Sequence, residues 1–194
     1  YSTSDQMFGS ALYLHSDISN FIGNFAVISN SHFNNSGLLH GVKNESFGAG
    51  GALYLHGVES CQIMKCTFEK TLISGLSFVN GIDIALYDCL NLSVIDSTFY
   101  QTLFIGERIG KFLRSTDLMG GGSIYFDPYP NSLSPVKFEI KGCTFDGTDL
   151  TNNEMISKST WFCGGAILVI DDLINTYIET IICDTVFNKC LSDC

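Results

Sequence analysis

The sequence predicts an all-β fold: a right-handed parallel β-helix (solenoid) of about five repeat units with loop insertions. Three observations predict it. A phenylalanine-centred block recurs five times, a glycine-led block recurs between its copies, and the intervals between blocks vary as loops do.

The first block is anchored on Phe33, Phe68, Phe99, Phe145 and Phe187, at spacings of 35, 31, 46 and 42 residues. Five residues before each anchor stand Ile28, Ile63, Val94, Ile140 and Ile182. Two before stand Ser31, Cys66, Ser97, Cys143 and Thr185; three after stand Ser36, Thr71, Thr102, Thr148 and Cys190. Alternation puts positions −7 and −5 on one face, as in Cys61/Ile63, Leu92/Val94 and Phe138/Ile140. Position −3 is Asn30, Lys65, Asp96, Gly142 and Asp184. Asn, Asp and Gly tolerate positive φ, so the strand bends there and the phenylalanine turns inward again.

The second block occupies residues 9–14, 50–55, 121–126 and 164–169, each led by glycine and followed by Ala/Ser-Leu/Ile. The string Ala-Leu-Tyr-Leu-His ends at both His15 and His56, and the third copy, residues 84–87, lacks the glycine pair. Glycine supplies a second corner and the apolar run a second strand. Such a unit cannot bury its own face and needs neighbours above and below. Residues 1–194 therefore read as a single β-helix segment of a longer repeat array. The stretches 101–118, 127–135 (with Pro128, Pro130 and Pro135) and 149–159 read as outward insertions. A β-sandwich explains neither the columns nor the glycine corners.

Composition narrows the function. Lys+Arg is 10 and Asp+Glu is 20, a formal charge of −10, which argues against a nucleic-acid partner and an anionic membrane surface. No apolar run reaches about 18 residues, so nothing in the segment is expected to insert into a membrane. With 45% hydrophobic and 15% charged residues the chain is too apolar to be disordered.

Eight cysteines and three sequons, at Asn34, Asn44 and Asn91, point to the secretory pathway and an extracellular or cell-surface glycoprotein. The cysteine spacings, such as Cys61-x4-Cys66, are not those of zinc sites. They suit disulfides or buried free thiols. The disulfide candidates are Cys61, Cys89, Cys163, Cys183, Cys190 and Cys194, with connectivity open. Cys66 and Cys143 share a column but are separated by Ser97, so they should not pair.

Gly50–Leu53 and Gly164–Ile167, alternating with Cys66-Thr67-Phe68 and Cys143-Thr144-Phe145, resemble the GGA[ILV]/FxxN repeat of polymorphic outer-membrane-protein-like β-helices. The resemblance covers most of residues 8–190, although the position three after Phe is Ser, Thr or Cys rather than Asn. That family occurs in bacterial autotransporters, with similar repeats in large surface proteins of protists. The resemblance implies a surface-exposed adhesive or coat role and transfers no catalytic residue.

Catalytic machinery is sparse. A lyase on this fold would want a carboxylate cluster and an arginine base, yet the only arginines are Arg108 and Arg114, in an expected loop. Asp171-Asp172 is the one adjacent carboxylate pair; Asp88, Asp127 and Asp171 follow equivalent strands and read as a solvated acidic edge. His15 and His56 read as an outward ladder rather than a metal site. Tyr13, Tyr54, Tyr87 and Tyr125 read as one outward column, a candidate binding stripe for glycan or protein. The expectation is a non-enzymatic structural or adhesive segment of a filament or coat, with no cofactor. Its partners would be further repeats of the same chain or other protein subunits. The alternative is a carbohydrate-binding or polysaccharide-degrading β-helix protein.

Overall fold

The computed structural model describes residues 6–16, 23–39, 47–74, 78–105, 118–128, 135–149, 161–170 and 177–191. Among them there is no helix, and every strand pairing is parallel. The chain makes five passes, and successive strands of one pass enter different sheets.

Four sheets take one strand from every pass, in chain order. The first orders Gln6–Phe8, Phe47–Ala49, Phe78–Asn80, Leu118–Gly120 and Trp161–Cys163; the second Leu12–His15, Leu53–His56, Ile84–Cys89, Ile124–Pro128 and Ile167–Val169. The third orders Phe25–Ser29, Ser60–Met64, Asn91–Ile95, Val136–Lys141 and Ile178–Cys183; the fourth His32–Asn34, Thr67–Glu69, Thr98–Tyr100, Thr144–Asp146 and Val186–Asn188. A fifth sheet has three strands, Gly37–Leu39, Leu72–Ser74 and Leu103–Ile105. The stretch 101–118 is thus not wholly an insertion. Gln101 and Thr102 continue the repeat and residues 103–105 pair with Leu72–Ser74.

The predicted columns are the registers of the third and fourth sheets. Ile28, Ile63, Val94, Ile140 and Ile182 are successive partners, and so are the five anchor phenylalanines. Their rings stack nearly parallel at centroid spacings of 4.8, 4.8, 4.6 and 5.0 Å, the repeat of a β-ladder. Phe68, Phe99 and Phe145 are fully buried with Leu53, Leu55, Leu86, Phe126 and Phe138 in one continuous core.

Three corner columns hold the turns. Gly9, Gly50, Gly81, Gly121 and Gly164 have φ of 47, 59, 62, 65 and 66°. Asn30, Lys65, Asp96, Gly142 and Asp184 have φ of 49, 52, 49, 62 and 50°, as the sequence predicts. A third column, Asn35, Lys70, Gln101, Gly147 and Lys189, is also left-handed, with φ from 51 to 76°. The backbone ladder does not break at these corners. The Lys65, Lys70 and Gln101 amides donate to the Ile95, Tyr100 and Asp146 carbonyls of the next pass, each at 2.9 Å.

Gly81 corrects the reading of the third pass, which has its glycine corner after all. Ile84, not Leu86, is the partner of Leu53 and Ile124. The second-block copy at 84–87 is displaced by two residues. A two-residue displacement keeps every side chain on its predicted face, so alternation alone does not reveal it.

Candidate functional site

Side chains next to the corners carry a repeated hydrogen bond. Ser31, Ser97 and Thr185 donate their hydroxyls to the carbonyl two residues back, each at 2.9 Å. Cys66 and Cys143 do the same through Sγ, at 3.3 Å each. Cys89 repeats it after the left-handed Asp88, and Cys190 after Lys189. A left-handed residue turns the chain so that the next side chain falls over that carbonyl, and a short OH or SH group satisfies it. The Ser/Thr/Cys column therefore has a local cause.

This bears on the disulfide candidates. Cys61, Cys66, Cys89, Cys143, Cys183 and Cys190 are all free thiols, so Cys61, Cys89, Cys183 and Cys190 form no bridge here. Cys89 and Cys190 serve as corner donors. Cys61 fills the apolar column between Ala26 and Leu92. Burial pushes the Cys61 thiol up, and pushes Cys89 up to about 12. The Cys163 side chain and Cys194 lie outside the described residues.

The tyrosine stripe is also revised. Tyr13, Tyr54, Ala85 and Tyr125 are the actual partners, and Tyr87 pairs instead with His56 and Asp127. Tyr54 and Tyr125 face away from the main core as alternation requires, yet they are only 8% and 6% exposed. The neighbouring first sheet covers them. Ala49, Ala85, Phe8 and Phe47 form a second apolar cluster around them, and the Phe8 ring lies 4.4 Å from that of Tyr54. The Tyr87 ring fills the space that Ala85 leaves, 5.5 Å from Tyr54 and 5.1 Å from Tyr125. The Asn80 amide donates to its hydroxyl at 3.0 Å. Only Tyr13, at 50% exposure in the first pass, is open to a ligand. Burial raises the Tyr54 phenol to about 12.

His15 and His56 stack with centroids 4.6 Å apart, and His56 Nε2 lies 2.9 Å from Asp88 Oδ2. No group of three or more ligating side chains assembles among the described residues. Asn34 is exposed at the end of its strand, and the Asn91 side-chain oxygen accepts from the Lys137 amide at 3.1 Å. Asn44, Arg108, Arg114, Asp171 and Asp172 lie outside the described residues.

Two features lie outside what the sequence predicts. The first is Asp83, a fully buried carboxyl that shares a column with Ala52, Ser123 and Ala166. Placing the corner at Gly81 is the signal that would expose it in the sequence. The second is the last pass, whose inward columns have no covering strand among the described residues. Ile182 and Phe187 are each 47% exposed, whereas their partners Ile140 and Phe145 are fully buried. They line an apolar concavity of about 480 Å³ with Phe138, Ala166, Ile167 and Val169. Among the described residues no helix is long and apolar enough to cross a membrane. No family model, curated protein or solved structure matches the chain.

Proposed function

We propose that the chain is a right-handed parallel β-helix segment with a non-enzymatic structural or adhesive role in an extracellular or cell-surface protein. The GGA[ILV]-type blocks support that reading, as does the succession of passes through the same sheets in the same order. The observation that carries it is the regular stacking of passes in one register, which among the described residues leaves apolar ladder positions bare on the last pass. Its strands have no partner on the outer edge among the described residues, and its ladder positions Ile182 and Phe187 are half-exposed. An open edge with a bare apolar column favours the addition of another strand layer. The partner in this reading is a further repeat of the same chain or another protein subunit. Asn34, exposed on the fourth sheet, is the sequon best placed to carry a glycan on a secreted chain.

Sedimentation velocity over a concentration series tests the edge. The chain should self-associate, and Ile182→Lys with Phe187→Lys should abolish association while leaving the circular dichroism unchanged. A monodisperse parent chain at high concentration would count against an assembly role. A glycan panel tests the absence of catalysis. Turnover that disappears in Asp171→Ala with Asp172→Ala would replace this reading with that of a polysaccharide-degrading enzyme.

A further inference from the structure

Asp83 is the one charged residue among the described residues whose side chain is fully buried. Its surroundings are hydroxyls from three successive passes. Thr102 Oγ1 donates to Asp83 Oδ2 at 2.6 Å, Thr102 Oγ1 and Ser123 Oγ are 3.4 Å apart, and Ser123 Oγ and Thr148 Oγ1 are 3.1 Å apart. Thr71 belongs to the preceding pass and is fully buried. Two atoms of this seam have no hydrogen-bond partner, Asp83 Oδ1 and Thr71 Oγ1. The Asp83 backbone is already engaged, its carbonyl by the Ala52 and Leu53 amides and its amide by the Ser123 carbonyl.

An ionised carboxylate here would need a counter-charge. None faces it. The groups acting on Asp83 are the Thr102, Thr71 and Ser123 hydroxyls, all neutral. Lys70, next to Thr71 in the chain, places its Nζ on Glu69 Oε1 at 2.9 Å, and Asp149 lines the outer groove beyond Thr102. The wall of the seam is tight. A Cβ on Gly51 would stand 2.9 Å from the Thr71 methyl, and one on Gly122 would overlap that of Thr148. A proton neutralises the carboxylate without needing volume.

We propose that Asp83 is a buried proton-binding site. In its protonated form the carboxyl is neutral and its Oδ1 gains a proton to offer towards Thr71, and loss of that proton leaves a buried charge that loosens the join between the second, third and fourth passes. Burial is the dominant cause, moving the carboxyl from 3.8 to about 6 against the opposing hydroxyl hydrogen bonds. The folded state therefore binds the proton more tightly than the unfolded state. The stability this gives is complete below about pH 4 and is lost as pH rises to about 6. Over that window the unfolding constant should rise about tenfold per pH unit from this group alone.

The experiment compares the native chain with Asp83→Asn, whose amide donates towards Thr71 and whose oxygen accepts from Thr102 at any pH. Denaturant unfolding is measured from pH 4 to pH 7.5. The expected result is a stability of the Asn variant, relative to the native chain, that climbs about tenfold per pH unit up to about pH 6 and then levels. A pH-independent difference overturns the proposal. If the Asn variant does not fold, infrared spectra of the native chain decide it. A protonated-carboxyl band present at pH 5 and gone above pH 7 upholds the site, and no such band at pH 5 overturns it.

Discussion

Glycine, serine and cysteine have distinct residue-scale duties at the corners. Gly50 has φ of +59°, and a Cβ there would overlap the Leu53 carbonyl oxygen. Gly23 has φ of +93° and open space where a Cβ would stand. Gly50→Ala should therefore cost about 2 kcal/mol or more, and Gly23→Ala only the backbone cost of about 1 kcal/mol. Urea unfolding of the two variants checks the ranking. The thiols divide in the same way. Cys66 donates to the Met64 carbonyl in a column where Ser31 and Ser97 do the same work, so Cys66→Ser should stay within about 0.5 kcal/mol of the parent. Cys61 lies in an apolar column, and Cys61→Ser leaves a hydroxyl among Ala26, Leu92 and Ile63, costing about 1–3 kcal/mol. Equal losses in the two variants would contradict the division.

Within a strand, two or three inward side chains make the contribution, and position in the stack sets its size. Phe99 is sandwiched between Phe68 and Phe145, with rings 4.8 and 4.6 Å away, and is fully buried. Phe187 has a neighbour on one side only, at 5.0 Å. Phe99→Ala should cost about 3–5 kcal/mol and Phe187→Ala about 1 kcal/mol, read from denaturant midpoints. Similar losses would mean that something covers the last pass. The first and second corners are legible because Gly, Asn and Asp mark left-handed backbone. The third is not, because Lys70, Gln101 and Lys189 are poor signals for it. Hydrogen bonds to the next pass hold Lys70 and Gln101 in that conformation, at about 1 kcal/mol of local cost each. The strand at residues 103–105 is illegible for the same reason, since nothing in the sequence marks the corner before it.

Acidic charge and buried seam act together on the whole molecule. Lys70 bonded to Glu69 and Lys137 bonded to Glu139 hold both carboxyls below their usual 4.5, so their small contribution is present above that pH and lost as pH falls through the folded values. Asp83 works in the opposite sense, losing its contribution as pH rises towards about 6. A formal charge of −10 at pH 7 adds self-repulsion that eases as carboxylates protonate. The thermal midpoint should accordingly be higher near pH 5 than at pH 7.5, by several degrees at low salt. Scanning calorimetry at the two pH values checks the sign, and a higher midpoint at pH 7.5 would remove Asp83 as the dominant titrating group.

The sequence by itself determined the all-β class, the phenylalanine and isoleucine columns and the left-handed bend before each phenylalanine. These follow from local periodicity and from the φ preference of Gly, Asn and Asp. Tertiary structure alone decided three matters. Tyr54 and Tyr125 are covered because the strand before each glycine corner folds against the outer face of the strand after it, and alternation describes only one strand at a time. Cys66, Cys89, Cys143 and Cys190 serve as short donors to corner carbonyls, a requirement visible only once the carbonyl's direction is known. Asp83 is internal because Gly81 sets the register of its pass, and register is fixed by neighbours rather than by the pass itself.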